Sequence, residues 1–253
     1  MIEAKSIIKS YDLSRDNNIV LNCLNFTINK GEVVSIIGPS GCGKSTLLRL
    51  LGKREKVTGG SLKITLDESL IFYSPQSPVL LPWLTIKQNL ILPYRLNNSY
   101  NINKTLIENS ITKITETVSL KEALDYYPKE LSGGMKERAV FAQMLSCEYK
   151  LLLMDEPLSS VDEFNRYNLL DLARSLWNKK EQTIIWVTHN IEEAIYISDR
   201  IILLSNIPTK IIAEYKIENP RPSLKNFFEN EEYQITKTWI FDKYKSTKTQ
   251  QYV

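Results

Sequence analysis

Two adjacent carboxylates, a glycine-rich run ending in lysine, a second glycine run and a solitary histidine are the residues of this 253-residue chain best suited to chemistry. The first run is Gly38-Pro39-Ser40-Gly41-Cys42-Gly43-Lys44-Ser45-Thr46, with Gly38-x4-Gly43-Lys44-Ser45 at its heart. Glycines let successive backbone N–H groups turn towards one point, and a helix opening there adds the positive end of its dipole. Such a loop cradles phosphates. Lys44 then bridges the β- and γ-phosphates of a nucleoside triphosphate, and the Ser45 hydroxyl is a hard oxygen for Mg²⁺. The alternative, a Gly-Ser turn that merely caps a helix, is disfavoured by the apolar strand before the run and Thr46-Leu47-Leu48-Arg49-Leu50-Leu51 after it. Cys42 reads as a small loop residue whose backbone does the work, not as a redox thiol.

Asp155 and Glu156 close the hydrophobic stretch Leu151-Leu152-Leu153-Met154 and precede Pro157, which favours a sharp exit. Adjacent strand residues point to opposite faces, so the pair can divide labour. Asp155 is placed to hold Mg²⁺ or its water, and Glu156 to polarise an attacking water as general base. His189 is the only histidine and follows the strand-like Thr183-Ile184-Ile185-Trp186-Val187. A lone histidine is often structural, but its place at a strand end beside a phosphate site favours a functional role. Leu131-Ser132-Gly133-Gly134-Met135 starts a further helix. Its N–H groups and dipole make a second anion site, although one phosphate loop already cradles a triphosphate.

These motifs need a scaffold that brings strand ends together. Val33–Ile37, Leu151–Met154 and Thr183–Val187 are short and almost wholly apolar, as in parallel strands covered on both faces. In open α/β sheets, ligands bind outside the carboxyl ends of such strands. Between them, Leu84 to about Ser119 is rich in Asn, Thr, Ile and Lys, Lys121 to Tyr126 has a helical pattern, and Ser132 to Ser146 reads as a helix capped by Ser132. Residues from about 82 to 148 therefore read as a helical subdomain inserted into the α/β core. After Asn219 comes Pro220-Arg221-Pro222, then Leu224, Phe227, Phe228, Ile235, Trp239 and Ile240 among charges, a pattern for one or two amphipathic helices packed on the core.

The Leu-Ser-Gly-Gly run between the two halves of a phosphate site resembles the ATP-binding cassette family, the ATPase subunits of ABC transporters, over residues 1 to about 222. The resemblance implies an α/β P-loop NTPase (RecA-like) core, an N-terminal antiparallel β subdomain and an inserted α-helical subdomain. It implies a cassette domain over 1–219, and the pattern of the tail makes 220–253 a helical extension. It implies ATP and Mg²⁺, with His189 as the switch histidine in Thr188-His189-x3-Glu193-Ala194 and Gln76 as a Q-loop ligand of Mg²⁺. Tyr11 matches the aromatic that stacks on adenine, though an aromatic near an N-terminal strand is as readily core. Asp162, in Ser159-Ser160-Val161-Asp162, matches the loop that contacts an opposing subunit. Ser132, Gly133 and Gly134 would close over ATP held by a second copy or by a homologous ATPase subunit, so that ATP glues a head-to-tail dimer. Leu81-Pro82-Trp83-Leu84-Thr85, Met135 and Leu153-Met154-Asp155-Glu156-Pro157 look like the nitrate/sulfonate/taurine importer branch. That branch implies a separate permease, which Leu80–Thr85 would help to grip, and a solute-binding protein.

Composition narrows the classes. Hydrophobic residues are 43% and charged residues 24% of the chain, ordinary for a soluble globular protein. Lys and Arg number 32 against 29 Asp and Glu, a net +3 that gives no footprint for nucleic acid. Cys23, Cys42 and Cys147 lack metal-ligand spacing and suit a reducing compartment. No signal peptide or run of ~18 apolar residues is evident, so the expected location is peripheral, on the cytoplasmic face of the cell membrane. An exporter or lipoprotein-release ATPase shares the same site residues and stays open. A soluble cassette protein would ordinarily carry tandem cassettes or a long coiled coil, and a P-loop kinase would transfer phosphate to a small acceptor.

Overall fold

The apolar strands form where the sequence places them, and burial on both faces explains why they carry no polar side. A computed structural model of the chain describes residues 1–11, 19–96, 104–146, 149–180, 182–217 and 227–249. Strands β3 (Val33–Ile37), β6 (Leu151–Asp155) and β7 (Thr183–Val187) are buried at every position. Val34, Ile36, Leu151, Leu153, Ile185 and Val187 turn to one face, and Val33, Ile37, Leu152, Met154, Ile184 and Trp186 to the other. Each face has its own cover. With β5 (Ile71–Ser74), β8 (Arg200–Leu204) and β9 (Ile211–Lys216) they make a six-stranded sheet in the order β5-β6-β7-β3-β8-β9. The pairings are parallel up to β8, and β9 returns antiparallel along β8.

The first face is covered by helix α1 (Lys44–Leu51) and by a second sheet of β1 (Ile2–Ser10), β2 (Ile19–Ile28) and β4 (Gly59–Ile64), antiparallel in the order β2-β1-β4. Leu24, Phe26 and Ile28 of β2 go inward while Cys23, Asn25 and Thr27 face water, the one-sided pattern of an antiparallel sheet. The second face carries α5 (Glu163–Lys180) and α6 (Ile191–Ile197), with Trp177 packed edge-on against Trp186.

Helices α2 (Ile86–Leu96), α3 (Lys104–Thr117) and α4 (Gly133–Ser146) lie between β5 and β6 in the chain. Buried Leu90, Ile111, Phe141 and Met144 join them, and Ala139, Ala142 and Leu145 of α4 are buried with them. Lys121–Tyr126 departs from the helix its pattern suggests. Only Lys121–Ala123 makes a 3₁₀ turn, the Tyr126 N–H bonds back to the Ala123 carbonyl, and the carbonyls of Leu124 and Tyr126 accept the N–H groups of Lys87 and Ile86 at the start of α2. Cys147, Pro220-Arg221-Pro222 and Leu224 lie outside the described residues.

The last helix, α7 (Glu231–Thr249), packs Tyr233, Thr236 and Ile240 inward at helical spacing. Ile235, expected on that face, is off the stripe and exposed. Glu192 of α6 receives the Tyr167 hydroxyl at 2.9 Å, the Tyr233 hydroxyl at 2.9 Å and Lys237 Nζ at 3.0 Å, which fastens α5, α6 and α7 at one point.

The loop between β3 and α1 is clamped from outside. Thr209 donates its hydroxyl to the Cys42 carbonyl and pairs its backbone with Val20 and Asn22 of β2. Gly43, which caps α1, has φ +99°, and a Cβ there would stand 2.7 Å from Val20 Cγ1 and 3.0 Å from Leu21 Cδ2. Gly43→Ala should therefore cost about 1–3 kcal/mol through both strain and overlap, lowering Tm by ~2–4 °C per kcal/mol. Thermal unfolding beside wild type measures it, and an unchanged Tm would mean that β2 does not press on the loop.

Candidate active site

The register of the parallel strands decides what meets at their carboxyl ends. Ile36 pairs with Val187, and Asp155 pairs with Val187 from the other side. The residues that follow, Gly38 onward, Glu156 and Thr188-His189, must leave the sheet at one edge. There a cavity of about 470 Å³ is lined by Ser40, Gly41, Gly43, Lys44, Ser45, Thr46, Gln76, Glu156 and His189.

Lys44 Nζ, nearly inaccessible to water, donates to the carbonyls of Gly38 and Pro39, both at 2.9 Å. These neutral acceptors hold the ammonium at the loop, and an anionic phosphate oxygen is the stronger acceptor. Gly38 also gives room to Cys42, whose Sγ would be 2.7 Å from a Cβ at that position. Burial pushes the Cys42 thiol up, so it packs rather than reacts.

Asp155, at the end of β6, is buried, with the Ser45 hydroxyl and the Glu156 charge among the groups that act on its carboxyl. Burial pushes its carboxyl up, the Ser45 hydroxyl draws it back, and the neighbouring Glu156 charge raises it again. Glu156 does not use strand alternation to part from Asp155, as the sequence suggested. The strand ends at Asp155, and Glu156 turns out of it with φ +50°, its N–H still bonded to the Val187 carbonyl at 2.9 Å. A non-glycine residue in that region is strained, and here the strain swings the carboxylate into the cavity. Glu156 Oε2 meets His189 Nδ1 at 3.0 Å and Gln76 Nε2 at 3.4 Å. The His189 side chain is 63% exposed, so little packing holds the ring.

Other expected residues stand apart from this cavity. Tyr11 is exposed, not core, and its hydroxyl is tied to Thr46 Oγ1 at 3.2 Å, to Glu55 and to Arg49, which holds the ring beside the start of α1. Ser132 and Gly133 are exposed and Gly134 half-buried, and none of the three lines the cavity. Ser132 Oγ accepts from the Met135 N–H at 3.3 Å as the cap of α4. Asp162 is likewise exposed and caps α5 through Asn165. The sequence reading missed Glu137. Its buried carboxylate accepts the Ser160 N–H at 2.8 and 2.9 Å and the Ser159 hydroxyl at 3.1 Å, locking the start of α4 to the Ser159–Asp162 loop. A lone glutamate in a helix among Lys136 and Arg138 looks like a solvated face, and nothing local distinguishes it.

A family model described as ABC transporter matches residues 21–159. The chain belongs to the ABC transporter family. An "Aliphatic sulfonates import ATP-binding protein SsuB" of Bacillus cereus is 36% identical over 212 residues, 82% of each chain. SsuB 2 of Pseudomonas syringae pv. tomato is 38% identical over 205 residues, 80% of this chain and 84% of that one. Among solved structures, a dimeric ATP-binding cassette in a post-hydrolysis state with ADP and Pi superposes with TM-score 0.77 at 27% identity, covering 87% of this chain and all (100%) of that one. A dimeric bacterial ABC transporter cassette gives TM-score 0.75 at the same 27% identity and with the same coverage, 87% and 100%. The two sheets and the helices between β5 and β6 are thus those of a P-loop NTPase cassette, and this cassette is an ATPase subunit of a transporter. No described helix is long and apolar enough to cross a membrane.

The Asp155 carboxyl titrates higher in the fold than in the unfolded chain, so its ionisation weakens the folded state as pH rises through the folded value. Asp155→Asn should accordingly raise Tm at neutral pH, with the gain shrinking as pH falls into the carboxylate range. Melting curves of both proteins across that range check the sign. A neutral-pH Tm below wild type would contradict it.

Proposed function

We propose that this cassette powers import of a small anionic or organic solute of the nitrate, sulfonate and taurine kind, as a peripheral ATPase on the cytoplasmic face of a membrane permease. The observation that carries the ATPase site is the Glu156–His189 contact of 3.0 Å at the mouth of the cavity lined by the phosphate loop. ATP enters with its phosphates against the N–H groups of Ser40–Thr46 and Lys44 Nζ. Tyr11, tethered at Thr46, is the aromatic on which adenine would stack. Glu156 accepts the proton of an attacking water, and His189, held on Glu156, contacts the γ-phosphate as charge builds there.

The donor set suits Mg²⁺. Ser45 hydroxyl, Asp155 carboxylate and the Gln76 carboxamide are hard oxygens, with few protein ligands and room for phosphates and waters. When bound, Mg²⁺ neutralises negative charge on the β- and γ-oxygens.

Ser132 and Gly133 are exposed and Gly134 is half-buried at the start of α4, and none of them lines their own chain's cavity. The reading that uses them is a head-to-tail pair, of two copies or of one copy and a homologous ATPase subunit, in which each run closes on ATP held by the other and Asp162 faces the partner. The names of the solved dimeric cassettes support pairing, and the names of the curated relatives support import. Val79 and Trp83 are 60% and 69% exposed around the half-buried Leu80, Leu81 and Leu84, an apolar patch of the kind that grips a permease. Import in turn calls for a solute-binding protein on the far side.

Glu156→Gln should keep MgATP affinity within about threefold while turnover falls about 10²–10⁴-fold, read by phosphate release and nucleotide titration. Lys44→Ala should lose affinity itself. With MgATP, light scattering should find the Glu156→Gln protein dimeric. Unchanged turnover in Glu156→Gln would remove that residue from the base role, and a monomer at saturating MgATP, even with the permease present, would overturn the pairing.

A further inference from the structure

His189 has one hydrogen-bonding neighbour in the cavity, Glu156, and an exposed ring, so its position depends on the turn that carries it. That turn is anchored from below by a single buried carboxylate. Glu193, four residues on in α6, is 4% exposed. Its Oε2 accepts the Thr188 hydroxyl at 2.9 Å and Trp186 Nε1 at 3.4 Å. Thr188 Oγ1 in turn accepts the Asn190 N–H at 3.0 Å, and Asn190 Oδ1 caps α6 by accepting the N–H groups of Glu192 at 2.8 Å and Glu193 at 3.1 Å. Both residues flanking His189 are thus held by one ring of bonds that closes on Glu193.

The other carboxylate oxygen looks elsewhere. Glu193 Oε1 stands 3.3 Å from Arg166 Nε, and Arg166 Nη2 donates to the Val161 carbonyl at 2.9 Å. Val161 belongs to the loop that Glu137 holds through Ser159 and Ser160. A continuous polar path therefore runs from the start of α4, through the Ser159–Asp162 loop, to the histidine turn. Burying a carboxylate is costly unless all its partners are in place, and an apolar residue would fill the same space. The bonds on Glu193 Oε2 restrict the groups they join to one arrangement, and the link to Arg166 is an ion pair whose Nε makes no hydrogen bond.

We propose that Glu193 is a positioning residue for His189, fixing the Thr188–Asn190 turn with its buried carboxylate and tying it through Arg166 to the Ser159–Asp162 loop. The inference rests on the reading of this cavity as the site of ATP hydrolysis. Glu193 touches no reacting atom. Its contribution is to spare His189 the loss of orientation that an exposed ring on a loose turn would bring.

The test measures steady-state phosphate release, MgATP affinity and Tm for wild type, Glu193→Ala, Thr188→Val and Thr188→Ser. Glu193→Ala should lower kcat about tenfold or more with KM for ATP changed less than about threefold. Thr188→Val, which keeps shape but loses the hydroxyl, should lower kcat about threefold or more, and Thr188→Ser should restore it to near wild type. A residue that merely supports the fold would lower Tm without separating kcat from KM, and serine would rescue nothing. If Glu193→Ala fails to fold, the Thr188 pair decides. Wild-type kcat in Thr188→Val, or equal loss in valine and serine variants, overturns the proposal. Absence of ATPase activity in wild type would instead overturn the reading of the cavity, so the two failures are distinguishable.

Discussion

The parallel register of β3, β6 and β7 is the constraint on which the site depends. Every hydrogen bond of that ladder is made inside the sheet, so the strands cannot slide without breaking many at once. Because Ile36, Asp155 and Val187 lie at one level, the chain leaves all three strands at a common edge. Residues 40, 156 and 189, separated by up to 149 positions in the chain, meet there as a geometric consequence. The two apolar faces make this register steep. A slip of one residue would send Trp186 and Met154 into the space shaped for Ile185 and Leu153.

On that rigid edge the fold keeps groups that an apolar core would do better without. Asp155 is a buried carboxyl raised by its burial, Glu156 has a left-handed backbone, and Lys44 keeps its ammonium out of water on two carbonyls. Each disfavours the isolated fold slightly, and each aims a charge at the place where phosphate is handled. Strain and desolvation concentrate where the surrounding sheet is strong enough to enforce them. The helical face makes a similar arrangement with Glu137 and Glu193, both buried and both fully occupied in joining loops that no apolar contact could orient.

Much of this was readable from the chain. The three core strands were legible as apolar runs, since a strand covered on both faces has no reason to alternate. The phosphate loop, the carboxylate pair and the capped helix at Ser132 were legible too, because each needs particular residue types at fixed local spacing, and local spacing is what a sequence displays. The short turn at Lys121–Ala123, by contrast, was hidden: its helical pattern is real, but carbonyls of Leu124 and Tyr126 are claimed by α2, more than thirty residues earlier. Ile235 was misplaced for a related reason, since the inward stripe of α7 is chosen by what it packs on, not by its apolar content alone.

The sequence by itself determined the chemistry available: which side chains can bind phosphate, hold a hard cation or move a proton, and which segments must be strands or helices to bury their apolar atoms. Tertiary structure alone decided the partnerships. Whether Glu137 is a solvated helix residue or the anchor of Ser160, whether Glu193 faces water or Thr188, and which way Glu156 turns from Asp155 depend on atoms brought together from distant parts of the chain. A carboxylate has the same identity in every position, but its burial, its partners and its backbone are properties of the packed fold.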